Sequence, residues 1–171
     1  MSATLPEVLD AWRMVAARRC FEGRLPLSAF ARLCGSLEVV EGDCRFALEF
    51  GRDALGVRFL ELQIEAELPL QCQRTLEPFR LPVRVTQRLG LITDESQEAG
   101  LPPGYEPVLL DAEGTLRPAE LIEDELILAV PVVPVKPGTE AVERVFPAGQ
   151  AEDEPAPNPF AALVALKKHQ S

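Results

Sequence analysis

The sequence predicts an α+β fold: an antiparallel β meander of three or more strands, covered by helices on one face, with a flexible acidic C-terminal region. Three observations support this prediction. There are runs of strict apolar–polar alternation, segments with apolar residues at helical spacing, and a late stretch rich in proline, glycine and acid. Alternation with a period of two is typical of half-buried strands, whereas a helix repeats about every 3.6 residues.

Three alternating runs follow one another along the chain and predict consecutive strands. They lie at residues 44–50, 60–70 and 81–91. Short connections between such runs favour antiparallel neighbours. The outward side chains of the last two runs have opposite charges, so they are expected to pair across the strands at about 0.2–1 kcal/mol each. These side chains are Glu61, Glu65 and Glu67 on one strand and Arg80, Arg84 and Arg88 on the other.

Helices are predicted where apolar residues recur every three or four positions. Pro6 and Pro118 suit the first turn of the first and last of these helices, because proline lacks the N–H that a first turn leaves unpaired. The predicted helices span residues 6–19, 26–34 and 118–130. Short strands are predicted at residues 20–25 and 108–110, and a mobile acidic loop at residues 92–107.

Composition changes near residue 135 and predicts the domain organisation. Residues 1–135 are expected to form a single α+β domain, and residues 136–157 an acidic, proline-rich linker. Residues 158–171 are expected to form a short C-terminal helix and tail, with Asn158 as its N-cap and Pro159 in its first turn. Isolated helices shorter than about 12–15 residues are marginal in water, so this helix should be ordered only when docked.

Charge is distributed unevenly along the chain. The net charge is −10, yet residues 1–91 hold twelve arginines against twelve acids, and residues 92–157 hold fifteen acids against three bases. The arginines could simply pair with acids on a solvated surface. Alternatively, the molecule has two faces, one bearing arginine near RNA and one acidic face that repels RNA or binds a basic protein. The candidate RNA-binding residues are Arg13, Arg18, Arg19, Arg24 and Arg74.

Several function classes find no support in the sequence. The apolar run Leu126–Val135 is too short to span a bilayer, which needs about 20 residues, and no signal peptide is predicted, so the protein is expected to be cytoplasmic. The four cysteines form no CxxC pair, and the single histidine is His169, so no metal or cofactor is expected. No GxSxG or phosphate-loop motif is present. An enzyme is therefore not expected.

A cluster of three acids, Glu123, Asp124 and Glu125, could suggest metal-dependent chemistry. Neighbouring residues on a helix point about 100° apart, so these carboxylates should not converge on one ion. A solvated helix face is the favoured interpretation, and a face that binds a partner is the second. A metal-dependent RNA hydrolase that uses Glu123 is the remaining alternative.

Four stretches of the chain resemble the YceD family of bacterial proteins, described as large ribosomal RNA subunit accumulation proteins. They are LQCQRTLEPF at residues 70–79, LPPGYEPV at 101–108, IEDELILAVPVVPV at 122–135 and NPFAALVALKK at 158–168. Their order and spacing also match, so the resemblance runs from about residue 58 onward. Relatives often carry CxxC in the first stretch. Here Cys72 occupies the first cysteine position, but Thr75 stands at the second, so any metal site of those relatives cannot be built in this chain.

The resemblance implies a non-enzymatic ribosome biogenesis factor that promotes synthesis, processing or stability of large-subunit (23S) ribosomal RNA. Its partner would be that RNA or a pre-ribosomal particle, reached directly or through a basic ribosomal protein, with no membrane and no small-molecule substrate. The alternative is an acidic module that holds a basic ribosomal protein. Candidate partner-binding residues are Cys72, Tyr105, Glu106, Glu123, Asp124, Glu125, Asn158, Pro159 and Phe160.

Overall fold

The computed structural model describes residues 5–139, which contain seven strands and three α-helices. The strands are β1 Leu9–Asp10, β2 Cys20–Pro26, β3 Asp43–Arg52, β4 Arg58–Gln71, β5 Pro78–Ile92, β6 Glu106–Leu109 and β7 Thr115–Leu116. The helices are α1 Ala11–Ala16, α2 Ala31–Cys34 and α3 Pro118–Ala129, and single 3-10 segments occur at Leu27–Ala29 and Glu95–Gly100. The α+β class predicted from the sequence is confirmed.

The main sheet has five strands in the order β2-β3-β4-β5-β6, and β1 pairs with β7 in a separate two-stranded sheet. Strands β2 to β5 form the predicted antiparallel meander. Strand β6 pairs with β5 in parallel, with Leu89 opposite Glu106 and Ile92 opposite Leu109, so the sheet is mixed and not purely antiparallel. Parallel neighbours need a connection of about a dozen residues or more, and residues 93–105 supply it. This connection returns the chain so that β6 begins beside Leu89 of β5.

The hydrophobic core lies on one face of the meander. Apolar residues of neighbouring strands lie opposite one another, as in the rows Phe46–Ile64–Val85 and Phe50–Leu60–Leu89. Helix α1 packs on β3 and β4, and α3 packs on β5 and α2. Because side chains alternate between faces, the intervening polar residues of these strands lie on the opposite, more exposed face.

The helical predictions hold best at the C-terminal end of the domain. Helix α3 begins at Pro118 and ends one residue before the predicted end, so it is confirmed. The predicted helix at 6–19 is wrong in extent, because residues 9–10 pair with β7 and Asp10 then caps a shorter helix by accepting the N–H of Arg13 at 3.0 Å. The predicted helix at 26–34 divides at Phe30 into a 3-10 segment and α2.

The hairpin between β3 and β4 turns through a compact loop organised by Asp53. One of its carboxylate oxygens accepts the N–H groups of Leu55 at 2.9 Å and Val57 at 2.8 Å. Gly56 has φ +83°, a left-handed conformation that glycine adopts without steric cost. The loop therefore sets the register in which Arg52, the last residue of β3, lies directly opposite Arg58, the first residue of β4.

The predicted C-terminal segments lie largely beyond the structure. The helix expected at 158–171 and nearly all of the linker expected at 136–157 fall outside the described residues. The predicted domain boundary after residue 135 stays a prediction. Across residues 5–139, no helix combines the length and apolar character that crossing a membrane requires.

Candidate nucleic-acid interface

On the helix-covered face of the sheet, two arginines lie just beyond the last buried residues of the core. Even-numbered residues of β3 and β4 point toward that face, and Phe50 and Leu60 form its last buried pair. Two positions further on, the same face carries Arg52 and Arg58, which lie opposite each other in register. Because α1 packs on these two strands, both guanidinium groups emerge beside that helix.

Helix α1 contributes Trp12, the single tryptophan of the chain, to the same place. The Arg58 guanidinium lies 4.1 Å from the centre of the Trp12 ring, within the range of a cation–π contact. Gly114 approaches the ring from another element, so closely that a Cβ there would lie 2.5 Å from Trp12 Cδ1. The indole is therefore confined between a backbone and a guanidinium group.

A third arginine completes a groove of about 300 Å³ at this position. Arg18 follows α1 and has φ +47°, a left-handed conformation that is uncommon for residues other than glycine. We call this feature the Trp12 groove. It is lined by Trp12, Val15, Ala16, Arg18, Arg52 and Arg58.

The charge of the Trp12 groove is not neutralised by neighbouring acids. Among residues 5–139, no carboxylate lies within 4.0 Å of the guanidinium groups of Arg18, Arg52 or Arg58. Asp53, the acid next along the chain, has its second oxygen engaged by the Tyr105 hydroxyl at 2.7 Å. This hydrogen bond also lowers the pKa of Asp53. The groove is thus a local positive site in an acidic protein.

A second arginine cluster lies on the more exposed face of the meander. Register places Arg24, Arg45, Glu65 and Arg84 in one row across β2, β3, β4 and β5. We call this row, with the groove of about 370 Å³ beside it, the open sheet face. Glu65 pairs with Arg84 at 3.5 Å, but these side chains are 53% and 83% exposed, so the pair is weak and the row keeps three arginines against one glutamate. Asp43 and Glu67 also line the groove, so its arginines lie among acids.

The predicted pairing between glutamates of β4 and arginines of β5 is confirmed for two of three pairs. Arg88 lies opposite Glu61 and donates to it at 2.7 Å, which lowers the pKa of Glu61, and Arg84 lies opposite Glu65. The third pair is wrong, because the register places Glu67 opposite Pro82. A one-to-one pairing of the two charged stripes therefore stops at the proline-containing end of the strands.

The five arginines proposed from the sequence do not form one surface. Arg18 lies in the Trp12 groove, and Arg24 lies on the open sheet face. Arg13 is exposed on α1, Arg19 lies 5.7 Å from the Phe21 ring centre, and Arg74 donates to the carbonyl of Thr139.

The candidates from the sequence omit five residues of these two clusters: Trp12, Arg45, Arg52, Arg58 and Arg84. The parity of Arg52 and Arg58 relative to Phe50 and Leu60 was the available signal, since it places both arginines on the helix-covered face.

The candidate partner-binding residues near the sheet are engaged in contacts within the domain. Cys72 is buried in the β4–β5 connection, and its sulfur accepts the N–H of Lys136 at 3.4 Å. This bond, with a side-chain bond from Thr75, lowers the pKa of the Cys72 thiol to about 6. Tyr105 binds Asp53, and Glu106 accepts from Gln87 at 3.3 Å. A role for these residues in partner binding stays a prediction.

The acids of α3 divide between the core and the surface. Glu123 and Glu125 are only 7% and 9% exposed, whereas Asp124 is an exposed partner of Arg32. The prediction of a solvated face therefore holds for Asp124 and is wrong for the other two. Glu123 is covered by α2, whose Arg32 N–H it accepts, and Glu125 lies beside Gln87 and Glu106. Asn158, Pro159 and Phe160 lie outside the described residues.

Within the part of the chain that the structure describes, no three His, Cys, Asp or Glu side chains are placed to hold a metal ion together. The fold and its surfaces thus define a class: an α+β protein with an arginine-bearing open sheet and a separate arginine groove built around a tryptophan.

Comparison with known proteins identifies the family to which the chain belongs. Residues 60–167 match the family described as "Large ribosomal RNA subunit accumulation protein YceD", and the chain belongs to the YceD family. A curated relative from Haemophilus influenzae, named "Large ribosomal RNA subunit accumulation protein YceD", is 29% identical over 168 residues. The alignment covers 96% of this chain and 97% of that relative. No solved structure matches the chain.

Proposed function

We propose that this protein is a non-enzymatic factor that promotes the synthesis, processing or stability of large-subunit ribosomal RNA by contacting pre-ribosomal RNA directly through arginines. Membership of a family named for this accumulation supports the cellular role. One structural observation supports direct contact. Of the thirteen arginines in residues 5–139, four pair with carboxylates and nine have no such partner within the described range.

These nine arginines remain without a carboxylate partner although the chain has a net charge of −10 and acids outnumber bases. Each guanidinium group that meets a phosphate releases counterions and can donate two parallel hydrogen bonds. Acids on the rest of the surface, and Asp43 and Glu67 within the open sheet face, repel the RNA backbone, so contact is limited to the guanidinium groups themselves. The open sheet face and the Trp12 groove are therefore the surfaces we assign to RNA.

The cellular experiment is depletion of the protein followed by measurement of the ratio of large- to small-subunit ribosomal RNA. We expect the ratio to fall and to recover when the wild-type gene is supplied. Recovery should be incomplete with a variant that carries Arg24→Gln and Arg45→Gln. An unchanged ratio after depletion would falsify the cellular role.

The biochemical experiment measures binding of purified protein to a fragment of pre-ribosomal RNA over a series of salt concentrations. Each lost contact to single-stranded RNA should reduce the slope of log affinity against log salt by about 0.7, so the Arg24→Gln, Arg45→Gln variant should lose about 1.4 if both arginines touch phosphate. Arg117→Gln is the matched control, because Arg117 already pairs with Glu7 at 3.3 Å. Equal slopes for wild type and the double variant would remove the open sheet face from the proposal.

A second candidate function is an acidic module that holds a basic ribosomal protein. The observation in its favour is a set of exposed carboxylates. They include Asp94, Glu95, Glu98, Glu106, Asp111, Glu113 and Glu120. Crosslinking of the protein in cell extract, with and without nuclease, separates the two functions. Nuclease should abolish the crosslinked complexes if RNA is the direct partner and should leave them intact if a basic protein is.

A further inference from the structure

We infer that the Trp12 groove binds one nucleotide of single-stranded RNA, with the arginines holding its phosphate and its base stacking on the Arg58–Trp12 pair. This inference rests on the proposed function, which requires RNA contact but does not say where a base would be held. The groove is the only place among residues 5–139 where an aromatic ring lies among three arginines that lack carboxylate partners.

The phosphate part of the site follows from the pairing of like charges. Arg52 and Arg58 are directly opposite on neighbouring strands, where like charges repel each other. Arg18 adds a third positive charge from a different element, the segment that follows α1. A dianionic or monoanionic group placed between the three guanidinium groups would relieve this repulsion, and phosphate matches their planar donor geometry.

The base part of the site follows from the position of the aromatic ring. Trp12 cannot retreat, because the Gly114 backbone closes one side of the ring. Arg58 lies over the ring at 4.1 Å and is only half-buried, so a base that stacks on its guanidinium group would lie on the solvent side of the pair. Unstacked bases of single-stranded RNA bind to aromatic rings and to guanidinium planes in this way.

The size of the groove favours one nucleotide over a longer or paired ligand. Its volume of about 300 Å³ is at the small end of the range for ligand sites in proteins. A base within a duplex is already stacked and paired on both sides, so it could offer the groove a phosphate but no free ring face. Single-stranded RNA should therefore bind more tightly than the corresponding duplex.

The experiment uses the fluorescence of Trp12 in the full chain, since the sequence contains no second tryptophan. Single-stranded RNA oligonucleotide is titrated into the protein, and filter retention measures the same binding independently. We expect saturable quenching of Trp12 and about tenfold weaker binding for a variant with Arg52→Gln and Arg58→Gln. Arg18→Gly removes one guanidinium group where the backbone favours glycine, so this variant should fold as well as wild type and still bind RNA several-fold more weakly.

The control is the Arg88→Gln, Arg117→Gln variant, which loses the same number of positive charges at residues that already pair with Glu61 and Glu7 and should still show full quenching. If wild-type protein binds RNA in neither assay, direct RNA contact fails, and the inference fails with it. If wild type binds RNA but the groove and control variants weaken binding equally, RNA contact stands and the groove is not a dedicated site. Equal binding of a duplex, or the same quenching by inorganic phosphate at equal concentration, would overturn the stacking of a base.

Discussion

Glu123 on α3 caps the first turn of α2, a segment about ninety residues earlier in the chain. One carboxylate oxygen accepts the backbone N–H of Arg32 at 2.6 Å and that of Leu33 at 3.1 Å, and the other accepts from Arg32 Nε at 2.9 Å. Helix α2 has four residues and no side-chain cap of its own at Phe30. A distant carboxylate thus satisfies N–H groups that a short helix leaves unpaired.

Replacement of Glu123 by Gln should lower the free energy of unfolding by about 2 kcal/mol at neutral pH, because the buried carboxylate loses the charge that strengthens its hydrogen bonds to the N–H groups of Arg32 and Leu33. Burial alone would raise the pKa of Glu123, but the N–H of Leu33 and the contacts with Arg32 outweigh it and lower the pKa. The stabilisation is therefore complete above the ordinary pKa of 4.5 and is lost as the pH falls through the lowered value.

Urea denaturation at several pH values measures this effect. Asp124→Asn is the matched control, because Asp124 contacts the same guanidinium group of Arg32 at 2.6 Å but is 51% exposed. We expect the control to change stability by less than about 1 kcal/mol. Equal losses for the two variants would show that the cap on α2 contributes nothing beyond a surface ion pair.

Replacement of Glu125 by Gln should have the opposite effect and raise the free energy of unfolding. Burial, followed by the negative charges of Glu106 and Asp124, raises the pKa of Glu125. The ionised carboxylate is thus less favourable in the folded state than in the unfolded chain, and removing its charge should add about 1 kcal/mol at neutral pH. The gain should fade as the pH falls through the raised pKa, because wild-type Glu125 then becomes protonated. Urea midpoints of the two proteins from neutral to acid pH test this, and a destabilised variant would contradict it.

Two buried cysteines should have thiol pKa values on opposite sides of the ordinary value. Hydrogen bonds from the Lys136 N–H and the Thr75 side chain lower the pKa of Cys72 to about 6, whereas burial raises the pKa of Cys44 to about 12. The ultraviolet absorbance of thiolate should therefore show a step near pH 6 in the native protein. Cys72→Ser should abolish that step, and Cys44→Ser should leave it unchanged. Since the folded pKa of Cys72 is depressed, its stabilising contribution should grow as the pH rises from about 6 toward 9.

Replacement of Gly114 by Ala should displace the indole of Trp12. Gly114 has φ +73°, and an added Cβ would lie 2.5 Å from Trp12 Cδ1, so both backbone strain and a steric clash follow. We expect a loss of about 2–3 kcal/mol in stability and a shift in tryptophan emission. Gly56→Ala is the control, because Gly56 has φ +83° but faces open space. It should lose only about 1–2 kcal/mol and leave the emission unchanged.

Local patterns predicted the elements whose causes are local. Alternation placed the three long strands within a few residues of β3, β4 and β5, because side-chain burial on one face of a strand follows directly from residue order. Pro118 and the stripe of apolar residues after it placed α3 in the same way. The short strand predicted at residues 108–110 overlaps β6 at residues 108–109. The parallel pairing of β6 and the small β1–β7 pair could not be predicted, since residues 106–109 and 9–10 are too short to carry a period.

Composition and short ordered motifs are enough to predict the class of fold, the charge asymmetry and the family resemblance. Which arginines meet depends on how the segments pack in three dimensions. Arg52 and Arg58 come together through the register that the Asp53 turn sets, and Trp12 and Arg18 join them through the packing of α1 on β3 and β4. Contacts between distant segments depend on register and packing angle, and neither quantity is encoded in the period of any single segment.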